Sequence, residues 1–152
     1  MDKPRSTEQA LSIIERFESL PIERRVEIFR KLSPQSREEL IQTVSKPGEI
    51  VRRISEEETY FTIKQLGEEN ARALIAATAG RQLRYILDLD LWKKDRIDLA
   101  AAVRWMQIIA GISPEKILQL IQIADEELLL TILHRLIRVD VRDPDVALTE
   151  QQ

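Results

Sequence analysis

Between residues 20 and 87 the sequence repeats one plan about every dozen residues. Leu20-Pro21 through Leu32 aligns with Leu32-Ser33-Pro34 through Val44, and Ile54 to Leu66 and Leu66 to Thr78 follow the same scheme. Each unit opens on a large apolar residue and passes a breaker or cap: Pro21, Ser33-Pro34, Ser55 or Gly67. It then carries an apolar doublet or near-doublet, namely Ile28-Phe29, Leu40-Ile41, Thr62-Ile63 and Leu74-Ile75, with Ile86-Leu87 one unit later. A unit this short holds about two helical turns, and an isolated helix of that length is unstable in water. Its apolar stripe must be covered by its neighbours, which is the logic of a stacked helical array. The expected fold is therefore all-α: a right-handed superhelical array of short helices over residues 7–90, closed by three longer C-terminal helices over 91–140. The chain is expected to form one domain, 1–152, of nine or ten helices, with a frayed polar tail at 141–152.

Local signals place the helices. Ser6-Thr7-Glu8-Gln9 has the form of a capping box, after which Leu11, Ile13, Ile14, Phe17 and Leu20 mark an apolar stripe. Pro21 ends that helix or opens the next. Lys46-Pro47-Gly48 interrupts the period, and Ile50, Val51 and Ile54 suggest a short inserted helix. Ser55-Glu56-Glu57-Glu58 restarts the array with a second capping box. Asp98 to Ile112 reads as a longer helix with Leu99, Val103, Met106 and Ile109-Ala110 turned inward and Gly111 near its end. Ser113-Pro114-Glu115 combines an N-cap hydroxyl, a proline at the first position and an acid at the positive end of the dipole. The helix it opens has a wide apolar face of Ile117, Leu118, Leu120, Ile121 and Ile123. Asp125 caps the last helix, where Leu128, Leu129, Leu130, Ile132, Leu133, Leu136, Ile137 and Val139 leave little polar surface. Such a helix is either central to a core or buried against a partner. No alternating run long enough to form a sheet appears.

The stretch from Tyr85 to Asp98 joins the two styles of packing and holds a dense mixture of acids and bases around Trp92. The repeat survives there as Ile86-Leu87 and breaks at Asp88, so a hinge is expected, with Trp92 packed over the joint. Asp90 or Asp95 would cap a short turn and pair with Lys93, Lys94 or Arg96.

Composition excludes several chemistries. The chain has no cysteine and one histidine, which removes disulfides, thiolate metal sites, iron–sulfur clusters and cysteine nucleophiles. A formal charge of -3 and a sequence pI near 5.4 give no general attraction to nucleic acid or anionic lipid. Arg24-Arg25, Arg52-Arg53 and Lys93-Lys94 could form a basic strip, but no aromatic residues interleave with it. The first residues have no apolar signal core, and the longest apolar runs fall far short of the roughly 20 residues a membrane-spanning helix needs. A cytoplasmic location with no membrane insertion is the expectation.

Leu20-Pro21 through Leu32-Ser33-Pro34, with Leu66-Gly67-Glu68-Glu69, resembles the superhelical N-terminal domain of MgtE-type magnesium transporters and the helical repeats of the flagellar motor switch protein. The likeness covers roughly residues 7 to 90 and implies an array of short helices joined at Leu-Pro or Leu-Ser-Pro corners. Leu87-Asp88-Leu89-Asp90-Leu91-Trp92-Lys93-Lys94-Asp95 is more similar to a family of uncharacterised bacterial proteins, a resemblance that supplies no activity. Neither the regulatory nor the membrane domain of the transporters follows, so only the array carries over.

Metal binding and catalysis find little support. Asp88 and Asp90 carry oxygens suited to magnesium or calcium, but as a calcium loop the segment fails: Trp92 takes a ligand position, Lys93 the required glycine, and Leu99 the closing glutamate. Glu57 and Glu58 make a second weak divalent-ion candidate, with helix-dipole complementarity as the simpler explanation. His134 lies in the most apolar helix with no second histidine or cysteine, and is expected to be a packed, satisfied residue. No Gly-x-Ser-x-Gly motif or phosphate-cradling glycine loop occurs, so no enzyme and no cofactor are expected. The expected function is a protein-interaction or regulatory scaffold, binding a protein partner or a second copy through the array groove or through the face of Leu129, Leu133 and Leu136, with Trp92 a further contact. A magnesium sensor of the transporter type is the alternative.

Overall fold

A computed structural model describes residues 7–131, 133 and 134. Ser6, Ile132, Leu136, Ile137, Val139 and the expected tail lie outside the described residues. The fold is mostly helical, and the chain divides into two compact units, Met1–Ile86 and Leu87–Gln152.

In the first unit the repeat becomes helices where the caps place them. Helix α1 spans Thr7–Glu18, α2 Ile22–Lys31, α3 Pro34–Thr43, α4 Pro47–Val51, α5 Glu56–Leu66 and α6 Arg72–Ala77, with a 3₁₀ turn at Glu68–Asn70 before α6. Helix α7, Gly80–Leu91, runs across the unit boundary. Ser33 and Ser55 accept the N–H groups of Ser36 and Glu58 as N-caps, and Pro34 and Pro47 stand in the first turns of α3 and α4. Gly67 closes α5 with φ of +84°, a conformation that costs glycine little. Helices α2 and α3 run to 10 residues and α5 to 11, nearer three turns than two, because the breakers stand only two or three residues apart from each helix end.

Each doublet supplies core. Phe29, Ile41, Ile63, Leu74, Ile75 and Ile86 are buried, and so are Ile50, Val51 and Ile54 of the inserted helix. Helix α2 packs on α3 and α4, while α3 also packs on α5 and α6. The apolar residue opening each repeat has a second use, since its carbonyl, orphaned at a helix end, receives a side-chain donor. Arg25 Nε donates to Leu20 O at 3.0 Å and Arg37 Nε to Leu32 O at 3.2 Å, the same offset of five residues in successive repeats. Asn70 Nδ2 donates to Leu66 O and Gln82 Nε2 to Ile54 O, each at 3.0 Å.

Two buried polar side chains tie the first unit together. Glu38 of α3 accepts the Ala73 and Leu74 N–H groups at 2.7 and 3.0 Å, capping α6, whose own N-cap residue Ala71 has no side-chain donor or acceptor. Gln82 accepts the Ala79 N–H at 2.8 Å and donates to Val51 O, Ile54 O and Thr59 Oγ1 at 2.7, 3.0 and 3.2 Å. Among the described residues no buried side-chain nitrogen or oxygen lacks a partner. The apolar stripe expected on α1 and the turn after it is only partly covered: Ile14, Phe17 and Leu20 are half-buried, while Leu11 and Ile13 are exposed.

The second unit opens with the last turn of α7, which continues through Asp88 to Leu91, so the repeat's break is not a break in the helix. The helix ends at a feature that the sequence pattern did not announce, a two-residue antiparallel ladder pairing Trp92 with Ile97 and Lys93 with Arg96. Its loop carries Lys94 at φ of +55°, a left-handed conformation more often given to glycine or asparagine. Asp98 then returns its N–H to Leu91 O at 2.7 Å and caps α8, Leu99–Ile112, through Ala101 N–H. Ser113 caps α9, Pro114–Ile123, and Asp125 Oδ1 accepts from Leu128 N–H ahead of a further helix described at 126–131, 133 and 134. Of the three C-terminal helices, α8 has 14 residues, but α9 has 10 and is no longer than those of the repeat.

The buried face of α8 differs from the expected one. Ala101, Ala102, Trp105, Ile108 and Ile109 point inward, while Leu99 and Val103 are exposed. Two apolar stripes share this helix, and the bulkier stripe carrying Trp105 takes the core, where Trp105 is 1% exposed. On α9, Leu120 and the Lys116 stem are buried, whereas Leu118 and Ile121 face outward.

Candidate interaction surfaces

In the Tyr85–Asp98 stretch, hydrogen bonds and an ion pair engage the side chains of Asp90, Lys93 and Asp98. Trp105 Nε1 donates to Asp90 Oδ2 at 2.9 Å, fixing α8 against the end of α7. Asp98, not Asp90 or Asp95, pairs with Lys93, at 3.0 Å. The Lys93 ammonium and then the Ala101 N–H hold the Asp98 carboxyl below its usual range. Trp92 is half-buried within the ladder, and the tryptophan that seals this unit is Trp105, which the sequence reading passed over. Asp88 is exposed.

The acids opening α5 have distinct fates. Glu56 pairs with Arg81 at 2.8 Å, and its carboxyl is held low first by its own backbone N–H and then by that guanidinium. Glu58 pairs with Arg30 and Arg37, each at 3.2 Å, while Arg37 also reaches Thr62 Oγ1 and Arg30 O. Glu57 is exposed and makes no ion pair among the described residues. No three carboxylates or imidazoles gather into a metal-binding group among the described residues. The candidate ligands also divide between the units, with Glu57 and Glu58 in the first and Asp88 and Asp90 in the second. The basic strip is partly consumed, since Arg24 pairs with Glu27 and Arg25 with Glu49.

Two open surfaces among the described residues combine exposed apolar side chains with a defined shape. On α9 and the helix that follows, Leu118, Ile121, Leu130 and Leu133 are 60, 48, 51 and 50% exposed, and each pair lies three residues apart on one helix face. Leu129 is half-buried beside them, and His134 is exposed, not packed as the apolar setting suggested. The second surface is a groove over α3 and α5, formed of two adjoining cavities of about 350 and 300 Å³ that share Gln65. Phe61 stands in its wall, 54% exposed. The sequence marked Thr62-Ile63 as the apolar feature there, and the buried doublet is what it located; Phe61, two residues before Ile63, points to the other side of the helix from it.

No helix among the described residues is long and apolar enough to cross a membrane. No curated protein and no solved structure matches the chain. The comparisons give the transporter and motor-switch likeness no support, whereas the resemblance to an uncharacterised family is met by a family model covering residues 14–152. The chain belongs to that family, described as a family of unknown function (DUF6178).

Proposed function

We propose that the protein is a non-enzymatic interaction module that binds another polypeptide, a second copy included, through the apolar face of its second unit. The observation that carries this is the exposure of Leu118, Ile121, Leu130 and Leu133 on consecutive helices. Isolated exposed leucines are ordinary, but pairs repeated on neighbouring helices favour association, because covering them returns roughly 25 cal/mol per Å² of apolar surface. In the first unit the helices stack as a right-handed superhelical array; support comes from the regular recurrence of capped corners and buried doublets, and the array serves as a rigid frame. The magnesium-sensing alternative has no grouping of three acidic ligands among the described residues to support it.

The test replaces Leu130 and Leu133 together by Glu in the full chain, with Leu118→Glu/Ile121→Glu as a second variant. Thermal midpoints should stay within a few degrees of the parent, since surface changes rarely exceed about 0.5 kcal/mol. Self-association in sedimentation, or capture of a specific protein from the native cell, should be lost. A chain that sediments as a monomer and captures the same proteins with and without the substitutions would refute the proposal.

A further inference from the structure

The groove over α5 lies in the first unit and is independent of the apolar face just described. Its wall contains an acid with no ion pair among the described residues, Glu57, and a largely exposed aromatic, Phe61. Three glutamates open α5, and two are neutralised internally, Glu56 by Arg81 and Glu58 by Arg30 and Arg37. Helix-dipole complementarity is therefore served without Glu57, which has no cation among the described residues. Phe61 follows Glu57 by four residues, so both side chains project from one face of α5 into the same cavity. Tyr60 packs edge-on against Phe61 at 5.8 Å between ring centroids, and Lys64 lies 5.8 Å from the Tyr60 ring. Arg37 lies 5.3 Å from the Phe29 ring, so cation–aromatic pairing is used twice nearby within the fold itself.

We propose that this groove takes a basic side chain, Lys or Arg, of a partner polypeptide, its cation held between the Glu57 carboxylate and the ring of Phe61. A cation there meets a charge-assisted hydrogen bond and the negative face of an aromatic ring together. Farther along the groove, Gln65 and Gln35 present side-chain amides with no hydrogen-bond partner among the described residues, and these suit the alternating donors and acceptors of an extended main chain. The groove is open along its length, which fits a peptide lying across the surface better than an enclosed metabolite. Because the cation stays partly hydrated, binding weakens as salt is added.

The experiment pans a random-peptide display library against the full chain at low ionic strength. Enriched peptides are then measured against the Glu57→Gln/Phe61→Ala variant and, as a control, against Leu130→Glu/Leu133→Glu. The expected result is enrichment of Arg or Lys, binding weakened about tenfold by the groove variant, and no change with the control variant. Both groove residues are exposed, so the thermal midpoint serves to show that the variant is folded. The inference is overturned if the enriched peptides are acidic or purely apolar, if basic peptides bind the groove variant equally well, or if no peptide is enriched. None of these outcomes touches the apolar face of the second unit, whose own variants decide it.

Discussion

Replacing Gln82 by Glu exchanges one amide nitrogen for an oxygen with almost no change of shape, at a site with no solvent exposure. The Gln82 amide nitrogen faces Val51 O, Ile54 O and Thr59 Oγ1 at 2.7, 3.0 and 3.2 Å. An ionised carboxylate would set negative charge against two carbonyl oxygens, so the new acid should remain protonated in the folded state, its pKa raised by several units. The unfolded chain titrates near the ordinary glutamate value of about 4.3, and between that value and the raised folded one the native state holds a proton that the unfolded state has released. Stability should therefore be highest below about pH 4 and fall by about 1.4 kcal/mol per pH unit above it, reaching about 3–4 kcal/mol by pH 7. A further loss of about 1–2 kcal/mol at every pH should come from the missing donor hydrogen. Urea denaturation of variant and parent at about pH 4 and pH 7, compared at each pH so that other titrations cancel, measures both parts. A variant whose deficit is the same at the two pH values would show that the side chain reaches solvent, and the account of Gln82 as a buried staple would fall.

Three other outcomes follow from the same geometry. Trp105→Ala should destabilise by about 3–5 kcal/mol in urea unfolding, and Trp92→Ala, at a half-buried position, by about 1–2 kcal/mol; the reverse order would mean that Trp92 seals the second unit after all. Glu38→Gln turns one of the two acceptors facing Ala73 N–H and Leu74 N–H into a donor, which should cost about 2–3 kcal/mol and raise hydrogen exchange at those two amides above their neighbours. Asp98, held below its usual pKa of 3.8 by Lys93 and the Ala101 N–H, contributes stability that is complete above that value and lost as pH falls through its depressed folded value. Asp98→Asn should accordingly be less stable than the parent near neutrality and converge with it in acid, as followed by thermal denaturation across a pH series.

What could be read in the sequence was local. Ser33-Pro34, Ser55, Ser113-Pro114 and Asp125 cap helices because an N-cap needs only a side chain and an N–H two or three residues away. The doublets mark the core because a helix stripe is periodic. Partners far apart in sequence left no such trace: Glu38 meets α6 some 35 residues on, and Gln82 reaches back 31 to Val51. The ladder at Trp92 was missed because its loop, Lys94-Asp95, lacks the Asn-Gly or Asp-Gly signal of a tight hairpin. On α8 the pattern offered two stripes, and the choice depended on Asp90 receiving the Trp105 indole. At the candidate sites, Leu133 was legible as an apolar residue with nowhere to go. Glu57 was visible only as one acid among three, since which two would be neutralised depended on Arg30, Arg37 and Arg81 arriving from other helices.

The arginines at the corners give the chain a direction. Leu20 O is capped by Arg25 and Leu32 O by Arg37, so these two corners are finished by a residue that lies later in the sequence. As the polypeptide leaves the ribosome, neither corner can be capped until the first turn of the helix after it has emerged. A shortened version cut just before such an arginine would carry an open end even though every residue of the preceding helix was present; one cut a helix later would not.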